Sequence, residues 1–313
     1  MRRNNGKLSI VVSAYNEEAA LPKFYEAASE QLSEMNRDYE IIFVNDGSKD
    51  KTQQIIKEYA DSDRHVKGIN FSRNFGHEAA MIAGIDYAGG DYIICMDADL
   101  QHPVKYIPQI LEKLQEGTDV VCMMRLSNES AGKFKNKMSD SFYKLMNRIS
   151  DADIKQSASD FFGISARVAE VLRNDYREKV RFIRGYIQNV GFKKAVITYD
   201  ANERVAGKSK YNMCKLTGYA LNTITAYTVM PLRLGLYIGA GTGVAAVIAM
   251  ILTIIFWIAN KSLNGFAALA VLILFIAAVL FILIGILGTY LAVTFEETKN
   301  RPIYIVDDLY NIN

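Results

Sequence analysis

The sequence predicts an α/β protein: a mostly parallel sheet with helices on both faces, then interfacial helices and a two-helix transmembrane hairpin. Three observations carry this. Short β-branched runs alternate with helical stretches from the N-terminus to Arg125. Acidic or amide-bearing clusters sit at the ends of three of those strand-like runs. Two C-terminal runs, Leu234 to Asn260 and Ser262 to Phe295, contain no charged residue.

In order along the chain, "LSIVVSAY" reads as a strand and "EEAALPKFYEAASEQLSEM" as an amphipathic helix with Pro22 in its first turns. "YEIIFVN" is a strand, and "DGSKD" turns into a helix over "KTQQIIKEYA". "VKGINF", "DYIICM" and "DVVCMM" are strands; "GHEAAMIAGIDYA" and "PVKYIPQILEKLQEG" are helices, the second stopped by Gly117. A βαβα rhythm calls for a parallel sheet covered on both faces. Ligands on such sheets bind beyond the carboxyl ends of the strands.

After Arg125 the alternation breaks down. "GKFKNKMSDSFYKLMNRIS" sets Phe134, Met138, Phe142, Leu145, Met146 and Ile149 on one helical face. Both an ordinary surface helix and a basic amphipathic helix at a membrane surface fit it. "SASDFFGISARVAEVL" reads as loop, strand and helix, "VGFKKAVITYD" as a strand, and "ANERVAGKSKYN" as a polar loop. The expected organisation is a cytoplasmic domain over 1–210, interfacial helices over 211–232, a membrane hairpin over 233–295 and a cytoplasmic tail over 296–313. The two spans are placed at about 234–259 and 266–293, since roughly 20 apolar residues cross a bilayer core. Buried core helices are the alternative, but these rarely stay charge-free for so long.

The remaining composition is restrained. Lys plus Arg is 36 against 34 for Asp plus Glu, a formal charge of +2, which is no signature of a nucleic-acid binder. The short apolar run near the N-terminus soon meets Glu17 and Glu18 and does not read as a signal peptide. Nearly all Lys and Arg precede the apolar runs, with Lys261 between them, so the positive-inside rule places both termini in the cytoplasm and the protein in the cell membrane. Cys95, Cys122 and Cys214 lack metal or redox spacing. His65, His77 and His102 form no zinc-type cluster, and His102, beside the acidic motif, is read as a residue that supports the motif from behind or as a loop residue, rather than as a ligand.

Three clusters fall on one rim: "YNEE", "NDGSKD" and "DADLQH". They bring Tyr15, Glu17, Asp46, Asp97 and Asp99 to neighbouring strand ends. Two adjacent carboxylates raise each other's pKa unless a cation compensates them. Hard oxygen ligands suit Mg²⁺ or Mn²⁺, which use one or two carboxylates and complete their shell with water and phosphate oxygens. The alternative is a capped loop, with Asp99 near the start of the following helix.

The blocks "VVSAYNEE", "VNDGSKDKT", "FSRNFGHEAAMIAGIDYAGGDYIICMDADLQHP" and "RVAGKSKY" closely resemble the family-2 glycosyltransferases with a GT-A fold. Within them, the chain looks most like the polyprenyl-phosphate glycosyltransferases, the branch with dolichol-phosphate mannose synthase and the bacterial bactoprenol glucosyltransferases. The resemblance covers essentially the whole chain. It implies that Tyr15, Asn16, Glu17, Asp46 and Asp97 bind the donor nucleotide, and that Asp97, Asp99 and Gln101 hold the metal. It also implies that Arg125 contacts the lipid phosphate, with Lys137 and Ser141 as the nearest matches for its helpers. Arg204, Lys208 and Lys210 match a basic loop closing over the diphosphate, and Asp160 matches the proposed base. The family usually carries proline at the position of Ser13, a departure that removes no ligand.

The implied activity is inverting transfer of a monosaccharide from a nucleotide-sugar to undecaprenyl phosphate or another membrane polyprenyl phosphate. UDP-glucose is the first expectation for the donor; UDP-N-acetylglucosamine and GDP-mannose stay open, as does a homo-oligomer. A phosphate acceptor is largely ionised at neutral pH, so Asp160 is either a base or an orienting group. A processive polysaccharide synthase would carry a Gln-x-x-Arg-Trp motif, whereas Trp257 lies inside an apolar run. A non-catalytic, membrane-anchored nucleotide-sugar-binding protein would carry a damaged acidic motif.

Overall fold

The structure is a computed structural model and describes residues 6–126, 158–179, 181–200, 230–258 and 265–312. The chain forms two units: Met1–Tyr211 with Arg301–Asn313, and Asn212–Asn300.

In the first unit, eight strands form one sheet: β1 (Leu8–Ala14), β2 (Tyr39–Asn45), β3 (Val66–Phe71), β4 (Tyr92–Asp97), β5 (Val120–Arg125), β6 (Ala158–Ser165), β7 (Lys194–Tyr199) and β8 (Val306–Tyr310). Their spatial order is β7-β5-β6-β4-β1-β2-β3-β8. The pairs β1–β2, β1–β4, β2–β3 and β5–β7 are parallel. Strand β6 is antiparallel to both β4 and β5, and β8 is antiparallel to β3. The central strands are buried except at Tyr39 and Asp97, as their apolar runs predict for a sheet covered on both faces.

The period of two along β1 assigns the faces. Leu8, Ile10 and Val12 join one core with Leu21, Phe24 and Leu32 of α1 (Leu21–Glu34), Ile56 of α2 (Thr52–Ser62) and Ile110 of α4 (Ile107–Gln115). Ser9, Val11 and Ser13 point the other way, towards α3 (His77–Tyr87). A β-carbon on Gly84 of α3 would lie 2.1 Å from Val11 Cγ1, so only glycine permits this close approach of helix to sheet. Helix α5 (Ala166–Asp175) packs against α3, and the short α6 (Ile183–Asn189) packs on β5 and β6.

Within the expected tail over 296–313, residues 301–312 belong to the first unit. After the helix Gly265–Thr298, Val306–Tyr310 adds to the β3 edge. The Ser72 N–H donates to the Ile305 carbonyl at 3.1 Å, Tyr304 stacks on Phe71 with centroids 5.2 Å apart, and its hydroxyl donates to Asp86 at 2.7 Å.

The second unit holds α7 (Met230–Ile258) and α8 (Gly265–Thr298). Both are apolar all round. Windows Pro231–Leu252 and Phe275–Thr298 are long and apolar enough to cross a membrane, and both are largely exposed. Exposed apolar side chains on this scale, with Leu236 and Phe281 each 71% exposed, are what a lipid-facing helix requires. The expected interfacial segment up to residue 229 and the loop 259–264 lie outside the described residues.

Candidate active site

Five strand ends meet at one rim. Strands β1, β2, β4 and β5 run the same way and end at Ala14, Asn45, Asp97 and Arg125. Because β6 runs against β4 and β5, its beginning, not its end, reaches that rim, and Asp160 lies near its beginning.

The first two expected clusters lock into each other. Asn16 takes a left-handed conformation (φ 55°), which asparagine tolerates. Its N–H donates to Ser48 Oγ at 2.8 Å, and its side-chain oxygen accepts from Lys49 N–H at 2.8 Å. The Glu17 N–H donates to Thr52 Oγ1 at 2.9 Å. Asn16 thus organises the rim through loop contacts, while Tyr15 and Glu17 flank it, both half-buried. Asp46 is buried and accepts from the Phe75 and Gly76 N–H groups, at 2.6 and 3.0 Å, and from Asn74 Nδ2 at 2.8 Å. Burial pushes its carboxyl up, and these donors only partly offset that. Gly47 (φ 65°) makes the arrangement feasible, since a β-carbon there would sit 2.4 Å from the Arg73 carbonyl carbon.

The "DADLQH" segment leaves β4 in a tight loop. Asp99 is buried and its Oδ1 accepts from the Gln101 N–H at 3.1 Å. Between them Leu100 has φ 62°, a conformation costing a branched residue about 1 kcal/mol. Strain of this kind persists only where surrounding contacts hold it, and here it falls between two expected ligands. Asp97 Oδ1 accepts from Ser13 Oγ at 3.0 Å. Ser13 Oγ in turn lies 2.9 Å from His77 Nδ1; its own proton is committed to Asp97, so it accepts from the ring. Ser13 therefore does more than stand in for proline: it links α3 to the acidic loop.

His77 bridges two carboxylates. Its Nδ1 is 3.6 Å from Asp97 Oδ1, and its Nε2 is 3.4 Å from Asp160 Oδ2, an ion-pair approach rather than an aligned hydrogen bond. Burial pulls the imidazole down, but Asp97 and Asp160 together push it up to about 10, so it is charged at neutral pH. Asp160 is also held by Arg184, whose Nε donates to Oδ1 at 2.6 Å while its Nη2 pairs with Oδ2. Burial would raise the Asp160 carboxyl; the Arg184 guanidinium and His77 instead hold it well below the usual carboxylate range. Glu78, beside His77, accepts from the Ile183 N–H at 2.8 Å and anchors the start of α6, which carries Arg184.

Arg125 is half-buried at the end of β5, opposite Tyr199 in register. Lys137, Ser141, Arg204, Lys208 and Lys210 lie outside the described residues. Sequence reasoning missed His77, Arg184 and Ser13, because their roles are pairings across elements far apart in the chain.

Carboxylate oxygens such as those of Asp97 and Asp99 are of the type that suits a hard divalent cation. No group of three or more His, Cys, Asp or Glu side chains suited to a metal occurs among the described residues.

Residues 9–173 match the family described as "Glycosyl transferase family 2". The chain belongs to glycosyl transferase family 2. The chain is 42% identical over 304 residues to the "Prophage bactoprenol glucosyl transferase homolog" of Escherichia coli (strain K12), covering 96% of this chain and 98% of that protein. The "SfII prophage-derived bactoprenol glucosyl transferase" of Shigella flexneri is 40% identical, over 96% of this chain and 97% of that one. Among solved structures, glucosyl-3-phosphoglycerate synthase from Mycobacterium tuberculosis, in complex with Mn²⁺, UDP-glucose and phosphoglyceric acid, is similar with a TM-score of 0.49. Its identity is 17%, over 70% of this chain and 78% of that one. This family-2 chain is a glycosyltransferase, and its mostly parallel sheet bears acidic loops at the carboxyl ends of β1, β2 and β4.

Proposed function

We propose that this glycosyltransferase moves a monosaccharide, glucose in the first instance, from a UDP-sugar to the phosphate of a membrane polyprenol, with inversion at the anomeric carbon. The observation that carries the reading is the near full-length similarity to bactoprenol glucosyl transferases, which extends across the two apolar helices. A lipid acceptor also gives a reason for α7 and α8 to be present on a sugar-transfer domain.

In this reading Tyr15, Glu17, Asp46 and Asp97 line the donor site, and Asn16 holds its loops together. Arg204, Lys208 and Lys210 approach the diphosphate. Asp97 and Asp99, with Gln101, would hold Mg²⁺ or Mn²⁺, which would supply charge neutralisation at the leaving diphosphate. Arg125 grips the acceptor phosphate through its planar guanidinium, with Lys137 and Ser141 assisting. The acceptor oxygen attacks the anomeric carbon, the bond to the diphosphate breaks, and the nucleoside diphosphate leaves with that electron pair. Asp160 orients substrate or Arg184 rather than removing a proton: a carboxylate this strongly compensated is a weak base, and a phosphate with a second pKa of about 6 needs little deprotonation.

The position of β8 supports a membrane hairpin with both flanks on one side. Segments before α7 and after α8 share one sheet, so the chain between them crosses a bilayer an even number of times. The positive-inside rule puts that sheet in the cytoplasm.

The test is to incubate the purified protein with undecaprenyl phosphate, Mn²⁺ and radiolabelled UDP-glucose, UDP-N-acetylglucosamine or GDP-mannose, then extract the lipid. Label in the lipid phase from UDP-glucose is expected. Label from another donor alone corrects the sugar, and no lipid label from any donor removes the acceptor assignment.

A further inference from the structure

His102 follows the acidic loop directly, yet it makes no contact that its neighbours would predict. Its Nδ1 lies 3.0 Å from the backbone nitrogen of Asp97. A backbone N–H only donates, so Nδ1 is the bare nitrogen and the proton sits on Nε2. Nε2 is 3.0 Å from Ser159 Oγ, to which it donates. The same oxygen accepts from the Phe161 N–H at 3.2 Å, and the Ser159 hydroxyl lies 2.8 Å from that of Tyr199. The ring stacks on Phe161, with centroids 5.2 Å apart and planes 18° from parallel, and it is buried at 6% exposure. A neutral ring in this tautomer also means that the 3.8 Å approach of Asp97 Oδ2 to Nδ1 is not an ion pair.

The sheet explains why such a link is needed. Strands β4 and β6 pair from Tyr92–Ser165 to Cys95–Phe162 and no further. Two more residues of that register would set Asp97 against Asp160. The strands part just before the residues that matter, and the Asp97 N–H would lose its ladder partner. His102 supplies one, and through Ser159 it ties the end of β4 to the residue preceding Asp160 and to the end of β7.

We propose that His102 is a positioning residue: through Asp97 N–H on one side and Ser159 and Tyr199 on the other, it sets the Asp97–Asp99 loop against the Asp160 strand in the geometry that binds the divalent cation. This rests on the reading of Asp97 and Asp99 as cation ligands. Loss of a hydrogen-bonding group behind a metal ligand commonly weakens metal binding about 10–100-fold.

The experiment measures Mn²⁺ binding to the purified full-length protein by electron paramagnetic resonance of free Mn²⁺, alongside kcat as a function of Mn²⁺. Wild type should bind one Mn²⁺ with UDP present, and Asp97→Ala should abolish it; no binding by wild type removes the metal reading itself, before His102 is in question. Given that binding, His102→Phe keeps the stacked ring but neither nitrogen, and should weaken Mn²⁺ affinity about 10–100-fold. Its activity should recover substantially as Mn²⁺ is raised. His102→Asn, whose side-chain oxygen can take the place of Nδ1, should recover most of the affinity. Ser159→Ala, which leaves His102 in place, should lose about fivefold, the worth of one net hydrogen bond, and it decides the matter if His102→Phe does not fold. Wild-type Mn²⁺ affinity in a folded His102→Phe protein, or in Ser159→Ala where that variant decides, overturns the proposal. So does an equal loss in His102→Phe and His102→Asn.

Discussion

Replacing Asp160 with asparagine separates two mechanisms. Asp160 makes two charge-assisted bonds to Arg184 and an ion pair to His77. Bonds of this kind contribute about 1.5–3 kcal/mol when buried. The Arg184 side chain is 34% exposed, so solvent screening reduces the expected loss of stability to about 1–2 kcal/mol. Asparagine keeps an oxygen for Arg184, so the fold should survive. The kinetic consequence depends on the role. A general base is worth about 10²–10⁴-fold, and its benefit falls on the protonated acceptor. With a second phosphate pKa of about 6, the dianion fraction rises about tenfold from pH 5 to pH 8. If Asp160 were the base, the wild-type advantage over Asp160→Asn would shrink by about that factor across the range. The carboxyl of Asp160 is held far below these pH values by Arg184 and His77, against the opposing effect of burial. It is ionised throughout, so an orienting role gives a constant ratio. The assay is kcat for both proteins from pH 5 to pH 8 with saturating donor, lipid and Mn²⁺. A ratio that falls about tenfold with rising pH refutes the orienting role.

Three further outcomes are expected. Asp97→Ala and Asp99→Ala should each abolish transfer while the melting temperature stays near wild type, and EDTA should do the same reversibly; full activity in excess EDTA would remove the cation from the mechanism. In a variant lacking Cys95, Cys122 and Cys214, Asn264→Cys should react with an impermeant thiol reagent on intact cells and Asn313→Cys should not; the reverse labelling contradicts the hairpin. Glu40 is buried against Lys7, Lys67, Ser9 and the Gly89 N–H. Burial alone would raise its carboxyl, but these partners bring it from 4.5 to about 2. A depressed carboxylate contributes stability above its unfolded pKa, here up to about 3 kcal/mol, less what the partly exposed lysines lose to solvent. That contribution disappears as pH falls from about 4.5 through about 2. Glu40→Gln should therefore lower the melting temperature at pH 7 by several degrees and by much less near pH 2.5; an equal drop at both would show that the carboxylate charge is not what stabilises.

The sequence by itself determined the order of β1 to β5 and the helices between them, because each is a local pattern: a β-branched run, a 3.6-residue stripe, a turn with Asp, Gly or Ser. It also determined the two apolar helices, since a run without charge needs no partner to be read. Tertiary structure alone decided the rest. Strand β8 is "VDDLY", whose two aspartates read as a polar tail until the β3 edge takes its backbone and Asn70 meets Asp307. Asp160 reaches the rim only because β6 runs antiparallel, a choice no local pattern encodes. His77, Ser13 and Asp97 lie on three elements up to 84 residues apart, and Arg184 is 24 residues from the carboxylate it holds. Charge compensation and hydrogen-bond satisfaction act across space. A chain shows which side chains are available for them, and only the packed sheet shows which ones meet.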